Sequence, residues 1–171
     1  MHLGSLLGEQ WLAARVAQAN AQRPDRVVLL GDIFEGHDPS RRELISTSGR
    51  LSAPLGVWAV PGNHEFYGGH RTRMRPIEDA GFQILRNRWA EVRPGLVLAG
   101  VEDFTALRRS GRGGDIVSRT LAARCDRAVF SHALAGRKSR ASRMLSGQTH
   151  GGQLWPFGSL VRRVYPIYSF P

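Results

Sequence analysis

The sequence predicts a layered α/β fold, and three observations lead to this prediction. Short, continuous apolar runs rich in β-branched residues recur along the chain, as is typical of buried parallel strands. Segments with helical periodicity lie between these runs. Just past the ends of four of these runs stands an Asp, Asn, His or Gln. The carboxyl ends of strands are where open α/β sheets bind ligands, so this pattern also predicts a site at that edge.

The first half of the chain alternates helix and strand. Residues 9–22 carry apolar side chains near a 3.6-residue period, and Pro24 ends the helix that they predict. The run RVVLLGD, residues 26–32, predicts a buried strand that ends in Gly-Asp. A helix at about 40–52 then precedes GVWAVPGNHE, residues 56–65, which predicts a strand, a Pro-Gly break and a polar turn.

The second half repeats this plan with less regular spacing. Helices are predicted at about 71–80 and 115–124. GLVLAGVED, residues 95–103, predicts a strand that ends in acids. RAVFSH at 127–132 and RMLSGQTH at 143–150 predict two further strands, each followed by polar residues. The chain has neither a solenoid repeat nor an internal linker, so we expect residues 1–171 to form a single domain.

Composition narrows the classes of function. The net charge is +10, mostly from arginine, which predicts an anionic partner or reflects an arginine-rich proteome. Nucleic acid is not expected, because no basic stretch is interleaved with aromatics and no helix-turn-helix or zinc-finger spacing occurs. The lone Cys125 excludes an internal disulfide and a thiolate metal cluster. Without an apolar run of roughly 20 residues or a signal peptide, the chain as it stands is expected in the cytoplasm.

The polar residues that follow the strands are the candidate site. Asp32 suits a metal ligand, but also an Asx turn. Pro-Gly projects Asn63 and His64 together, and an amide oxygen and an imidazole can bind metal or hydrogen bond to a ligand. His132 alone is compatible with a structural histidine. The glycine-rich segment 147–152 contributes Gln148 and His150 and leaves space for close backbone approach.

Taken together, these motifs resemble the calcineurin-like metallophosphoesterase family. The family pattern runs Asp-x-His, Gly-Asp-x-x-Asp/Glu, Gly-Asn-His-Asp/Glu, a lone His and Gly-His-x-His. This chain has GDIFE at 31–35, GNHE at 62–65, SH at 131–132 and GQTH at 147–150, in that order. The resemblance extends over essentially the whole chain and implies a layered α/β/β/α sandwich. It is closest to a bacterial branch whose members are often membrane-associated, which we therefore expect of a full-length parent.

The resemblance implies a centre of two divalent ions, which its nitrogen and oxygen ligands suit to Mn, Fe, Zn or Co. The implied metal ligands are His2, Asp32, Asn63, His132, Gln148 and His150. Asp32 would bridge both ions, His2 and His150 would bind the first, and the other three would bind the second. His64 would stay off the metals and act as donor or general acid to the leaving oxygen. A hydroxide between ions about 4 Å apart would attack the phosphorus in line.

The chain departs from the family pattern in two places. Gln148 replaces a histidine, which gives a weaker ligand. The family motif would also place an aspartate immediately before Met1, and a strand before that. Since relatives also continue beyond residue 171 with further strands, we expect a fragment that lacks its first strand and its C-terminal strands. We further expect weak occupancy of the first metal site and low activity.

The resulting expectation is a metal-dependent phosphoesterase that acts on phosphate mono- or diesters of small molecules or lipids. The basic segments 110–115 and 135–142 would select the substrate and could contact an acidic membrane surface. The alternative is a catalytically degenerate relative that binds anions or nucleic acid. A nucleotide-binding α/β domain is the third interpretation, and the absence of G-x-G-x-x-G and P-loop motifs disfavours it.

Overall fold

The structure is a computed structural model and describes residues 3, 8–34, 41–65, 70–101, 129–131 and 144–146. The helices of this part of the chain are α1 (Glu9–Ala21), α2 (Arg41–Ser48) and α3 (His70–Asp79). Its strands are β1 (Val27–Leu30), β2 (Val57–Val60), β3 (Gln83–Ile84), β4 (Arg88–Arg93), β5 (Leu96–Val101), β6 (Val129–Ser131) and β7 (Met144–Ser146). None of these helices is long and apolar enough to cross a membrane.

The strands form two sheets. The first has the order β1-β2-β3 and is wholly parallel, with Leu30 opposite Val60 and Ala59 opposite Ile84. The second has the order β4-β5-β6-β7. Its first pair is antiparallel, whereas β5, β6 and β7 run parallel to one another. The carboxyl ends of the parallel strands therefore gather at one edge within each sheet.

The first sheet lies between a helical layer and the second sheet. On one face, Leu29 and Ala59 belong to an apolar cluster that includes buried side chains from all three helices. The helix side chains of this cluster are Leu12, Val16, Leu44 and Ile77. On the opposite face, Trp58 and Val60 pack with Leu98 of β5. Successive residues of β2 thus face the helices and the second sheet in turn, as expected from the period-2 geometry of a strand that is buried on both faces. This layering confirms the layered α/β prediction.

The two sheets approach each other closely near the ends of β2, β3 and β5. Gly100 is buried in β5, and a methyl group built on its Cα would come within 2.8 Å of Val60 Cγ1. The same methyl group would overlap Leu85, which directly follows β3. Glycine is required here because nothing larger than hydrogen fits between the layers. The carboxyl ends of both sets of parallel strands therefore lie at the same end of the sandwich.

The predicted elements of the described part of the chain are present, with small shifts in their bounds. The helices predicted at 9–22, 40–52 and 71–80 correspond to α1, α2 and α3. The four predicted strands at the site edge and the strand at 95–103 correspond to β1, β2, β5, β6 and β7. The structure adds β3 and β4, which were not predicted. The predicted helix at 115–124 lies outside the described residues.

Candidate functional site

Asp32 is placed by the way the chain leaves β1. Gly31 and Asp32 both have positive φ angles, +79° and +47°, so the backbone turns sharply at the end of the strand. Glycine adopts this conformation freely, and aspartate is one of the few other residues that tolerate it. Asp32 is 4% exposed. A buried carboxylate at the carboxyl edge of a parallel sheet is therefore held by a strained turn, as is common at functional sites.

The turn that follows β2 carries the next two predicted site residues. Pro61 and Gly62 end the strand, and the side chains of Asn63 and His64 are half-buried. The backbone N–H of Gly62 donates to the Glu65 carboxylate over 2.7 Å, which closes the turn on itself. Asn63 and His64 therefore project from a compact turn with a defined backbone.

Hydrogen bonds join this turn to the segment that carries Asp32. The backbone N–H of His64 donates to Asp32 Oδ1 over 3.0 Å. In the opposite direction, the backbone N–H groups of Asp32 and Ile33 donate to Glu65 Oε2 and Oε1 over 2.9 and 2.8 Å. The structure thus brings together the predicted site residues Asp32, Asn63 and His64. Each of these bonds joins a backbone N–H group to a side-chain carboxylate, which fixes the positions of both segments.

Gly62 makes this close approach sterically feasible. A methyl group built on its Cα would overlap Asp32 Oδ1 and would lie 2.5 Å from Asp32 N. The space beside the aspartate is thus filled by backbone, and any side chain at position 62 would displace the carboxylate. The close contact with Asp32 therefore explains why the first position of the GNHE motif is glycine in this chain.

The N-terminal segment joins the same edge through Leu3. Its N–H donates to the carbonyl of Ile33 over 2.9 Å, in a parallel bridge with Phe34. Leu3 is 1% exposed and belongs to the apolar cluster under the helices. The residue after the predicted ligand His2 is therefore bonded to the residue after Asp32. His2 itself lies outside the described residues.

The remaining predicted ligands follow β6 and β7 in the sequence. Ser131 and Ser146, the last residues of these strands, are partners in the parallel register, and Ser131 also pairs with Val101 of β5. The predicted ligands His132, Gln148 and His150 lie outside the described residues. Their ligand roles stay predictions, and so does the role of His64 as a donor to the leaving oxygen.

The described donors suit a hard or borderline divalent cation. Asp32 offers a carboxylate and Asn63 an amide oxygen, and both are common oxygen ligands of such ions. Within the described ranges, no group of three or more His, Cys, Asp and Glu side chains could hold a metal ion. Four of the six predicted ligands fall outside those ranges, so Asp32 and Asn63 form the described part of the predicted ligand set.

A cationic side chain lies at the same edge of the first sheet. Arg86 follows β3, whose carboxyl end is aligned with that of β2. Partial burial lowers the pKa of the Arg86 guanidinium from its ordinary value. Because arginine stays protonated in proteins, this residue contributes a positive charge near the end of the parallel strands.

Glu65 is the site residue to which the sequence assigned no role. It is 2% exposed, and three backbone N–H groups donate to its two oxygens. The signal that could have identified it is chemical. The family pattern accepts Asp or Glu at the fourth position of the GNHE motif. A buried position that requires a carboxylate indicates that several N–H donors surround it.

Comparisons with known proteins identify the family of this chain. The family profile described as calcineurin-like phosphoesterase matches residues 9–128. A protein of Aquifex aeolicus named an uncharacterized metallophosphoesterase is 31% identical over 96% of this chain and 65% of its own length. A protein of Helicobacter pylori with the same description is 28% identical over 95% of this chain and 45% of its own.

A third relative carries a different name. A protein of Danio rerio named a transmembrane protein with metallophosphoesterase domain is 28% identical over 98% of this chain and 42% of its own length. The chain therefore spans between 42% and 65% of the length of these three relatives. No solved structure matches it significantly.

Proposed function

Because the chain belongs to the calcineurin-like phosphoesterase family, we propose that it hydrolyses phosphate mono- or diesters with two bound divalent metal ions. The observation that carries the proposal is the set of hydrogen bonds that joins the segment of Asp32 to the turn of Asn63 and His64. The residues that these bonds join carry a carboxylate, an amide and an imidazole, and they lie at the carboxyl edge of a parallel sheet, where ligands bind in such folds.

The proposed metal ligands divide between the two sheets. Asp32 and Asn63 follow strands of the first sheet, whereas His132, Gln148 and His150 follow strands of the second in the sequence. The contact of Gly100 with Val60 supports a shared site, because it puts the ends of both strand sets at one end of the sandwich. His2 completes the proposed set, supported by the bond of its neighbour Leu3 to Ile33.

The chain's own residues would prepare the substrate for hydrolysis. Bound divalent ions would polarise the phosphoryl group and lower the pKa of a bound water to supply the nucleophile. Asp32 and Asn63 would orient those ions from fixed backbone positions. His64 would donate a proton to the departing oxygen, because it follows Asn63 in the same turn and its backbone is bonded to Asp32, while its side chain is not needed as a ligand.

We propose a phosphorylated small molecule or lipid as the substrate. The net charge of +10 supports an anionic ligand, and Arg86 contributes positive charge at the proposed edge. A lipid substrate would bring the chain to an acidic membrane surface, and one relative is named a transmembrane protein. Hydrolysis of a water-soluble phosphodiester and of a phospholipid headgroup in vesicles, measured side by side, distinguishes the two substrate classes.

The test of the proposed function is hydrolysis of bis-p-nitrophenyl phosphate by the full chain with added Mn²⁺. We expect turnover that EDTA abolishes and that Asn63→Ala reduces by roughly 100-fold or more. His64→Ala should have a smaller effect on this ester, because p-nitrophenolate departs with little need of a proton. Gln18→Ala removes an exposed amide from α1 and is the matched control, which should keep wild-type activity. Turnover that survives EDTA, or that is unchanged in Asn63→Ala, would contradict the proposal.

The second candidate is a degenerate relative that binds anions or nucleic acid without turnover, and the +10 charge favours it. Electrostatic binding of this kind weakens steeply as salt rises, because bound counterions are released. Steeply salt-dependent binding to a nucleic acid, with no hydrolysis of any phosphoester at saturating Mn²⁺, is the result that selects this candidate.

A further inference from the structure

The Glu65 side chain makes an unusual set of contacts for a buried acid. It is 2% exposed, and its hydrogen-bond donors are backbone N–H groups of Asp32, Ile33 and Gly62 at 2.9, 2.8 and 2.7 Å. Oε2 accepts from Asp32 and Gly62, and Oε1 accepts from Ile33. A buried carboxylate is costly without such bonds, and hydrogen bonds to a charged acceptor are stronger than neutral ones.

These donors belong to the two segments that carry the proposed site. Asp32 has a φ of +47°, a conformation that aspartate tolerates better than most residues but that still costs energy. The turn at Gly62 precedes Asn63 and His64 directly. A single side chain therefore holds the strained exit from β1 and the turn after β2 at once.

We propose that Glu65 is a positioning residue, whose carboxylate sets the backbone of Asp32 against the turn of Asn63 and His64 and so fixes the distance between the ligand-bearing side chains. The bond from His64 N–H to Asp32 Oδ1 depends on this arrangement, since it spans the same two segments. The use of this geometry for metal binding rests on the proposed function, whereas the geometry itself exists without metal.

The chemistry of the three donors requires a carboxylate. Both oxygens of Glu65 accept, so all three N–H groups are satisfied. In Glu65→Gln the shape is kept, but one oxygen becomes an NH₂ group that cannot accept a hydrogen bond. At least one backbone N–H would then face a donor in a buried space, which costs more than the loss of an exposed bond.

The first experiment requires no metal and no activity. In the wild-type full chain, we expect NMR couplings across the hydrogen bonds between the amides of Asp32, Ile33 and Gly62 and the carboxylate carbon of Glu65. In Glu65→Gln, exchange of these amide protons should be faster by roughly 10- to 100-fold, since a bond to a charged acceptor is lost. Absence of the couplings in the wild type overturns the proposal even if the variant does not fold.

The second experiment measures Mn²⁺ affinity by calorimetry. We expect Glu65→Gln to weaken binding by roughly 10- to 100-fold, as outer-shell partners of metal ligands typically do. Glu78→Gln removes one exposed carboxylate from α3 and controls for charge. Leu44→Ala removes a buried side chain of α2, which leaves a cavity, and it controls for lost stability. Both controls should keep wild-type affinity while folded.

The outcomes separate this proposal from the proposed function. Wild-type affinity in Glu65→Gln, or an equal loss of affinity in Leu44→Ala, overturns the positioning role. If the wild-type chain neither binds Mn²⁺ nor hydrolyses phosphoesters, the proposed function fails. The exchange rates of the three amides then still decide whether Glu65 joins the two segments.

Discussion

The backbone N–H of His64 donates to Oδ1 of Asp32 over 3.0 Å, although the two residues lie 32 positions apart in the chain. One oxygen of the aspartate is therefore oriented by the same turn that presents the His64 and Asn63 side chains. The carboxylate does not need to be ordered by an incoming cation. Sites that are organised in this way lose less conformational entropy when they bind a ligand.

The first prediction concerns the charge of Asp32. In Asp32→Asn the shape is kept and the amide oxygen can still accept from His64 N–H, so we expect the fold to persist. The negative charge is lost, and Mn²⁺ affinity should fall by roughly 100-fold or more, because the role proposed for Asp32 is that of a direct metal ligand, which contributes more than an outer-shell partner. Calorimetry measures the affinity, and thermal unfolding checks the fold.

The control for this variant is Asp79→Asn, which removes a charge from an exposed position at the end of α3. It should leave Mn²⁺ affinity unchanged. Equal affinities of Asp32→Asn and the wild type would show that Asp32 is not a metal ligand.

The second prediction concerns the proton that His64 is proposed to donate. A leaving group with a low pKa, such as p-nitrophenolate, departs with little need of a proton, whereas an alkoxide needs one. His64→Ala should therefore reduce kcat by roughly 100- to 10,000-fold on an alkyl phosphoester and by much less on a p-nitrophenyl ester. Steady-state rates on the two esters measure the difference. Equal losses on both would instead indicate that His64 binds the substrate or supports the turn.

The helices and strands with a local sequence signal were predictable from the sequence. The period of residues 9–22 and Pro24 define α1, and the apolar run before Asp32 defines β1. β3 has only two residues, Gln83 and Ile84, which is too short for a periodic signal. β4 is a largely exposed edge strand with three charged residues in six, so it lacks the apolar run that identified the other strands.

The site was predictable in its residue types but not in its bonding. Asp32, Asn63 and His64 follow from their places after strands and from the motif, and the structure brings them together. Asp32 also contacts Gly62 and Glu65, which are distant from it in the sequence. No local pattern encodes which backbone N–H groups meet a buried carboxylate. Tertiary packing alone determines this relationship.

The third prediction concerns the space at Gly62. An alanine here would overlap the Asp32 carboxylate, so the two segments must separate. We expect Gly62→Ala to lower the free energy of unfolding by about 1–3 kcal/mol, as overpacking does, and to weaken Mn²⁺ binding. Chemical denaturation and calorimetry measure the two effects.

The matched control for this substitution is Gly8→Ala. Gly8 has a φ of −77°, and a methyl group there would meet no atom within 4 Å. We expect a change in unfolding free energy within about 0.5 kcal/mol and unchanged Mn²⁺ affinity. If Gly62→Ala behaved like Gly8→Ala, the close approach of position 62 to Asp32 would be disproved.

The fourth prediction compares two substitutions between the sheets. Gly100→Ala inserts a methyl group against Val60 and Leu85, which forces the sheets apart. Leu98→Ala removes a fully buried side chain and leaves a cavity, which typically costs about 2–5 kcal/mol with little backbone movement. Both variants should unfold at lower denaturant concentration. Only Gly100→Ala should also weaken Mn²⁺ binding, because the proposed ligands follow strands of both sheets and their separation would grow. Equal Mn²⁺ affinities in the two folded variants, measured by calorimetry, would contradict a site shared between the sheets.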